Sequence, residues 1–140
     1  MTVTRFLVDA TAIAWYVDAK VAAQLDDLAM AGLVVSCDAT ELQLLGAVTD
    51  TTTRARVTAL RAVAFEVLDT SGADFGRAAQ VQTVLAERGE FGIAWPALVI
   101  AAIAERHEVT LLHRNPHYDV IGRVTGQAEQ WASAGDRAGE

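Results

Sequence analysis

A short apolar run near the start of the chain, Phe6–Val8, ends at an aspartate, Asp9, and is followed by small residues and a helical pattern. A run this short, bounded in this way, is typical of a central strand in a parallel sheet that is buried on both faces. Open α/β sheets bind ligands at the carboxyl ends of their strands, which is where Asp9 would lie. Asp9 therefore has two interpretations: a site residue, or the N-cap of the next helix with Thr11 nearby.

Further short apolar segments alternate with helical patterns along the rest of the chain. The expected strands are Phe6–Val8, Leu33–Val35, Phe65–Leu68 and Val109–Leu112, with an edge strand in Gln127–Trp131. The expected helices are Ala12–Tyr16, Val21–Ala31, one capped by Ser36 or Asp38 and running to Val48, one capped within Thr51–Thr53 and running to Ala64, one capped by Ser71 and running to Arg88, and Ala97–His107, with a short helical turn at Val120–Ile121. In the helix that ends at Val48, Leu42 and Leu45 are expected to face the core. His113–Asp119 is expected to be a loop. This alternation predicts an α/β fold, a three-layer α/β/α sandwich with a mostly parallel central sheet.

The length of 140 residues favours one domain, which we expect to span residues 1–131, followed by a frayed, polar tail over 132–140. Hydrophobic residues make up 52% and charged residues 21%, a globular rather than a disordered composition. The apolar runs are too short for a membrane span and the N-terminus lacks a signal-peptide pattern, so we expect a soluble, cytoplasmic protein.

Cys37 is the one cysteine of the chain, which excludes an intrachain disulfide and an all-cysteine metal site. It lies just before a predicted helix, and a helix N-terminus lowers the pKa of a thiol. The commoner alternative is a buried, inert thiol. Both interpretations stay open at the level of sequence.

The formal net charge of −7 has the wrong sign for a protein that binds nucleic acid by covering phosphates with Lys and Arg. Arg54, Arg56 and Arg61 would lie together on one predicted helix, where an ordinary solvated face is the simpler interpretation. The acidic balance therefore disfavours RNA as a ligand without excluding it, and it agrees equally with a basic partner segment.

Five segments of the chain carry a family resemblance through their order and spacing. They are Leu7–Asp9, Ala39–Leu45, Trp95–Ala102, Leu111–Asp119 and Val124–Trp131. Together they resemble the PIN domain, and within it the VapC-type toxins of actinobacteria, over the range from Arg5 to Trp131. The resemblance implies a magnesium- or manganese-dependent ribonuclease that commonly forms a homodimer. It also implies a small antitoxin partner that inserts into the active-site groove.

The chemistry of this family implies three or four clustered carboxylates, because hard divalent cations prefer oxygen ligands and lower the pKa of bound water. By the resemblance, Asp9 corresponds to the first acid and Glu41 to the second. Ala97 stands where a third acid is expected, and Asn115 and His117 stand in the two acidic places of the last motif. We therefore expect either no metal or weak magnesium or manganese binding, with Asp9 and Glu41 as its ligands and Asn115 as a neutral oxygen.

A repurposed pocket would use other side chains. The pocket candidates are Thr11, Trp15, Trp95, His113 and Asp119. His113, His117 and Asp119 could form an acid–base set, although a loop histidine is more often solvated and Asp119 is more often a helix cap. Trp15 and Trp95 could line a groove for an apolar ligand, or pack in the core or in a dimer interface.

Three functions follow from these observations. The first is a VapC-like protein whose standard metal-nuclease site is largely lost and which acts as a noncatalytic binding module. The second is a residual magnesium- or manganese-dependent endoribonuclease toxin of a toxin–antitoxin pair. The third is a PIN fold repurposed for metal-independent chemistry or for binding a small molecule. Loss of the standard nuclease activity is favoured over its retention, and a homodimer is expected in each case.

Overall fold

A computed structural model describes residues 3–132, and the predicted tail beyond Ala132 lies outside the described residues. In chain order the elements are β1 Phe6–Val8, α1 Ala10–Ile13, α2 Ala19–Met30, β2 Val34–Cys37, α3 Asp38–Gly46, α4 Thr51–Ala64, β3 Glu66–Leu68, α5 Gly72–Glu87, α6 Trp95–Arg106, β4 Thr110–His113, α7 His117–Thr125 and β5 Glu129–Trp131. The predicted alternation of strands and helices is confirmed.

The five strands form one parallel sheet in the order β3-β2-β1-β4-β5. Phe6 of β1 pairs with Val34 on one side and with Thr110 on the other, so β1 is the central strand. The predicted edge strand is β5, which pairs with β4. The chain adds β2 and β3 on one side of β1 and then β4 and β5 on the other side. The carboxyl end of β1 therefore lies at the point where α/β sheets form a binding crevice.

Helices cover β1 on both faces. Leu7 belongs to the larger apolar cluster, with residues of α5 and α6, whereas Val8 belongs to the smaller cluster with residues of α1 and α2. Successive residues of a strand point to opposite faces, which explains this division. Helix α6 is buried without interruption over residues 97–104, as its nearly uniform apolar composition predicts. Within residues 3–132 there is no helix with the length and apolar character needed to cross a membrane.

Aspartate caps explain two predicted helix boundaries that are wrong. The first helix begins at Ala10 rather than at Ala12, because Asp9 is its N-cap. The cap of α4 is Asp50 rather than a threonine, since the Asp50 carboxylate accepts a hydrogen bond from the Thr53 N–H at 2.7 Å. Aspartate at an N-cap satisfies backbone N–H groups that have no partner within the helix.

Helix α3 differs from its prediction at both its start and its exposed face. Its N-cap is Cys37 rather than Ser36 or Asp38, and no side-chain hydrogen bond caps it. Leu45 packs in the core as expected, but Leu42 is exposed. The helix therefore buries a narrower apolar face than its sequence predicts.

The predicted loop over His113–Asp119 is confirmed only for residues 114–116. His113 is the last residue of β4, and α7 already begins at His117. The helix ends at Gly126, whose φ of +72° is the left-handed conformation that glycine adopts most readily. Proline at the N-cap, Pro116, starts the helix earlier than the loop interpretation allowed.

Candidate functional site

Asp9 lies buried at the carboxyl end of β1, and only 2% of the residue is exposed. Its Oδ2 accepts hydrogen bonds from the Thr11 N–H at 3.1 Å and from the Thr11 hydroxyl at 2.8 Å. Its Oδ1 accepts a hydrogen bond from the Tyr118 hydroxyl at 2.9 Å. Asp9 therefore caps α1 and also lies at the ligand-binding edge of the sheet, and neutral donors bind both of its oxygens.

Tyr118 was not among the residues predicted for the site. It is buried in the first turn of α7, and burial together with the charge of Asp9 raises the pKa of its hydroxyl well above its usual value. The hydroxyl therefore stays protonated and donates to Asp9 near neutral pH. The sequence signal was a tyrosine directly after His117, but the loop prediction for this segment gave its side chain no direction.

A cleft of about 410 Å³ opens beside Asp9 and Tyr118. Its polar lining residues are Asp9, Thr11, Gln43, Asn115 and Tyr118. Ala97 also lines the cleft, so the structure brings this position together with Asp9 and Asn115 as the family resemblance implies. Among the described residues that line the cleft, Asp9 supplies the one carboxylate.

Glu41 does not line this cleft. Its carboxylate is held by the Arg61 guanidinium through two hydrogen bonds of 2.7 and 2.9 Å, and it also accepts a hydrogen bond from the Ser36 hydroxyl. Burial alone would raise the pKa of Glu41, but the hydrogen bonds from Arg61 and Ser36 outweigh burial and lower it. The second acid is therefore engaged by α4 rather than with Asp9.

A second group of titratable side chains lies between β4, α7 and β5, where possible ligand atoms of His113, Asp119 and Glu129 lie within 4.8 Å of one another. The buried His113 places Nε2 at 2.7 Å from Glu129 Oε1, and its Nδ1 accepts a hydrogen bond from the Asn115 N–H at 3.1 Å. Because Nδ1 accepts, Nε2 carries the proton of the ring. A metal ligand needs an unprotonated ring nitrogen, so this arrangement does not offer His113 to a metal.

Of the predicted acid–base set of His113, His117 and Asp119, the structure brings His113 and Asp119 together, with Glu129 rather than His117 as the third titratable group. Asp119 accepts hydrogen bonds from the Trp131 indole N–H, with both oxygens at 3.0 Å, and it lies inside the first turn of α7 rather than at its cap. The His117 backbone N–H donates to the Asn115 side-chain oxygen at 3.0 Å. His113 is fully buried, so the expectation of a solvated loop histidine is wrong for it.

Trp15 and Trp95 do not line the cleft beside Asp9. The Trp15 ring lies against the Arg114 guanidinium, with 4.0 Å between Arg114 Cζ and the ring centroid. Trp95 is exposed at the start of α6, and its ring centroid lies 6.3 Å from that of Phe75. Neither tryptophan lines this cleft and both are exposed, so a dimer interface is the predicted alternative that stays open for them.

Cys37 is buried, and burial is the largest influence on its thiol, raising its pKa despite hydrogen bonds involving Thr40. The nearby charge of Asp9 acts in the same direction as burial. The interpretation of an activated thiol at a helix N-terminus is therefore wrong, and the inert thiol is the correct alternative.

The residues around Asp9 do not fit a tightly held divalent cation. Magnesium demands a nearly octahedral set of oxygen ligands, and carboxylates are its preferred protein ligands. The methyl group of Ala97 offers no ligand atom, and the side-chain oxygen of Asn115 already accepts a hydrogen bond from His117. The Tyr118 hydroxyl donates to Oδ1 of Asp9 and Thr11 donates twice to Oδ2, so three of the roughly four acceptor positions of this carboxylate are in use.

Two curated relatives from Mycobacterium tuberculosis match nearly the whole chain. Ribonuclease VapC51 of strain H37Rv is 32% identical over 128 residues, which are 91% of this chain and 92% of the relative. Ribonuclease VapC21 is 27% identical over 132 residues, which are 94% of this chain and 96% of the relative. A comparison with family models gave no match.

Solved structures of toxin assemblies share the fold. VapBC2 from Rickettsia felis, bound to a promoter DNA fragment, matches with a TM-score of 0.73 and 14% identity over 91% of this chain and 98% of the solved chain. VapBC-1 from nontypeable Haemophilus influenzae matches with a TM-score of 0.73 and 17% identity over 93% of this chain and 99% of the solved chain. The five-stranded parallel sheet and the relationship to VapC51 together show that this chain belongs to the VapC family of PIN-domain ribonuclease toxins.

Proposed function

We propose that this chain is a VapC-family protein that has lost metal-dependent cleavage of RNA and acts by binding an antitoxin-type protein partner. One observation carries the first half of the proposal. The two oxygens of Asp9 accept hydrogen bonds from Thr11 and Tyr118, and no second carboxylate lines the cleft within the described residues.

The energetics of the Asp9–Tyr118 contact favour the metal-free arrangement. Oδ2 of Asp9 already accepts two hydrogen bonds, and a cation that took the position of the Tyr118 hydroxyl at Oδ1 would have to displace that buried group. A buried donor left without a partner costs about 1–3 kcal/mol. With a single carboxylate in the cleft, the attraction between the protein and a doubly charged ion is weak, so it does not offset this loss.

A different surface supports partner binding. Helix α4 buries none of its residues, and its Leu60 and Val63 are exposed, Val63 to 91%. Beside α4 lies an apolar cavity of about 310 Å³, whose lining includes Leu25, Arg61 and Phe65. Helices in proteins gain most of their stability by packing an apolar face, so α4 fits a helix that a partner completes. We call α4 with this cavity the partner face.

The chemistry of the partner face indicates the kind of segment that would fit it. Its exposed aliphatic residues require an apolar segment. The exposed Arg54 and Arg56 give the helix a positive charge that favours acidic side chains on the partner, whereas Arg61 is already paired with Glu41. The solved relative VapBC-5 from Mycobacterium tuberculosis, which matches with a TM-score of 0.59, is a member of a toxin–antitoxin system. That relationship supports an antitoxin as the occupant.

A homodimer belongs to the same proposal. Phe75, Phe91 and Trp95 are large aromatic side chains that stay exposed on α5, on α6 and on the segment between them. We call these three residues the aromatic patch. Contiguous exposed apolar surface marks association sites in soluble proteins, and the patch is separate from the cleft beside Asp9.

An RNA-cleavage assay in manganese tests the loss of nuclease activity. The wild-type chain is compared with a variant that carries Ala97→Asp, Asn115→Asp, His117→Asp and Tyr118→Phe, which restores the acids that the family resemblance implies. We expect no cleavage by the wild-type chain. Cleavage by the wild-type chain that Asp9→Asn abolishes would contradict the proposal, whereas cleavage that Asp9→Asn leaves unchanged identifies a contaminant.

The competing functions make different demands on the same cleft. Residual nuclease activity requires manganese to bind beside Asp9 and requires Asp9→Asn to remove cleavage. A small-molecule function is favoured by the mostly apolar lining, which includes Ile13, Leu44 and Ala94. Such a ligand would protect Tyr118 and Asn115 in hydrogen exchange, whereas an antitoxin would protect α4.

A further inference from the structure

Arg114 carries a nearly buried charge whose donors are only partly used. The residue is 7% exposed and directly follows β4. Within residues 3–132 its guanidinium makes a hydrogen bond of 2.9 Å from Nη1 to the carbonyl oxygen of Ala132, and its buried Nε–H has no partner. Leaving a buried charged group short of partners is costly, so such a group calls for a physical reason.

Other arginines of this chain show which group the Nε–H donor of a guanidinium binds when a partner is present. Three of them present Nε and Nη2 to one carboxylate each: Arg61 to Glu41, Arg77 to Glu105, and Arg106 to Asp74. This side-on geometry forms two parallel hydrogen bonds to the two oxygens of a carboxylate. Among the described residues, no carboxylate forms an ion pair with Arg114, although Arg114 is buried.

Two tryptophans fix the plane of the Arg114 guanidinium. Its Cζ lies 4.0 Å from the ring centroid of Trp15 and 5.6 Å from that of Trp131. Stacking of this kind stabilises the cation through its face and leaves the N–H donors at its edge unused. Trp131 is buried and bound to Asp119, whereas Trp15 is 41% exposed. A ligand would therefore reach the guanidinium from the side of Trp15, the more exposed of the two rings.

We propose that Arg114 and Trp15 form a binding subsite for a carboxylate group at the carboxyl edge of the sheet. A single guanidinium matches the charge and the two oxygens of one carboxylate. A phosphate dianion needs more positive charge, and no second cation contacts Arg114 within residues 3–132. The backbone N–H of Arg114 donates to the hydroxyl of Thr11, which itself donates to Asp9. The negative charge of Asp9 therefore lies nearby, and it disfavours a phosphate dianion more than a singly charged carboxylate.

This subsite is independent of the proposed loss of nuclease activity, because it uses neither the carboxylate of Asp9 nor a metal. The carboxylate could belong to an acidic side chain of a protein partner or to a small organic acid. The two sources share the same hydrogen-bond chemistry at Arg114. A partner's acidic side chain and a small organic acid differ in the atoms attached to the carboxylate, which would pack against Trp15.

Side-chain NMR of the full ¹⁵N-labelled chain tests the proposal at the Nε–H of Arg114. The probes are sodium acetate, sodium phosphate and sodium chloride at matched ionic strength. We expect acetate to shift the Arg114 Nε–H signal downfield to saturation, while chloride leaves it unchanged and the signals of Arg77 and Arg106 stay in place. Arg114→Lys assigns the signal by its loss; if this variant does not fold, the contact of the signal with Trp15 ring protons assigns it in the wild-type chain.

The outcomes separate the alternatives. The absence of a shift with acetate, or an equal shift with chloride, overturns the proposal. A larger shift with phosphate than with acetate overturns the assignment to carboxylates. N-acetylglutamate amide then distinguishes the two sources: binding at least as tight as that of acetate supports an acidic side chain of a partner, and weaker binding supports a small organic acid.

Discussion

The hydroxyl of Tyr118 donates a hydrogen bond of 2.9 Å to Oδ1 of Asp9 across the carboxyl edge of the sheet. Both residues are 2% exposed, so water does not compete appreciably for this contact. The contact joins the end of β1 to the first turn of α7 and lies where the family resemblance implies a metal. It provides Asp9 with a neutral hydrogen-bond donor, and the proposed loss of the metal site depends on this contact.

Removal of that hydroxyl is expected to destabilise the fold. Tyr118→Phe leaves Oδ1 of the buried Asp9 without its donor, which costs about 1–3 kcal/mol in the free energy of unfolding. Urea denaturation at neutral pH measures the loss. Tyr16→Phe is the matched control, because the Tyr16 hydroxyl bonds to Asp26 on the exposed surface and its removal should leave stability unchanged. Equal effects of the two variants would contradict the importance assigned to Tyr118.

The ion pair between Glu41 and Arg61 should make stability depend on pH. The pKa of Glu41 is lowered from its ordinary value of 4.5, so the pair contributes fully above that pH. The contribution is lost as pH falls through the lower pKa of the folded state. Glu41→Gln should therefore destabilise the chain near neutral pH, and its difference from wild type should shrink below pH 4.5.

A surface carboxylate provides the comparison for this pH dependence. Glu66 pairs with Arg5, but both side chains are exposed, and exposed ion pairs contribute little. Glu66→Gln should change the denaturation midpoint only slightly at any pH. A difference between Glu41→Gln and wild type that grows on acidification would show that the sign of the effect is wrong.

Charge placed on the partner face should weaken binding of an antitoxin without unfolding the chain. Val63 is exposed on α4, so Val63→Glu is expected to fold normally and to weaken binding about tenfold or more. Calorimetry with the product of an adjacent antitoxin-like reading frame gives the affinity. Thr83→Glu is the control, since Thr83 is also exposed but lies on α5, which packs in the larger apolar cluster, whereas the partner-face cavity borders the smaller one. Equal affinities for wild type and Val63→Glu would exclude α4 as the interface.

The aromatic patch is expected to hold a homodimer together. Trp95→Asp should convert the dimer to a monomer, because it places an unpaired charge beside Phe75 in an interface that would bury it. Light scattering after size exclusion reports the mass directly. Met30→Asp serves as the control, since Met30 is exposed on α2 and lies outside the patch. A wild-type monomer, or a dimer that survives Trp95→Asp, would contradict this assignment.

Local patterns predicted the elements of the fold well. The Ser71 cap is confirmed as a capping box with Asp74, and the buried helix α6 and the central strand β1 follow directly from their apolar runs. These features depend on residues only a few positions apart. The parallel direction of the strands follows from the alternation of strands and helices, whereas their order in the sheet was not predicted.

Contacts between distant residues could not be predicted in the same way. Asp9 and Tyr118 are 109 positions apart, and Glu41 and Arg61 are 20 positions apart on two helices whose packing the sequence does not specify. From residue types alone, the family resemblance predicted two acids of the site, Asp9 and Glu41, and the replacement of the others. Only the packing of α7 and α4 reveals that Tyr118 binds the first acid and that Arg61 binds the second.

Calorimetric titration of the wild-type chain with manganese tests the central claim most directly. The account predicts no saturable heat at millimolar manganese, while the variant with Ala97→Asp, Asn115→Asp, His117→Asp and Tyr118→Phe binds the ion. Saturable binding to the wild-type chain that Asp9→Asn abolishes would contradict the claim that Tyr118 has replaced a metal at Asp9.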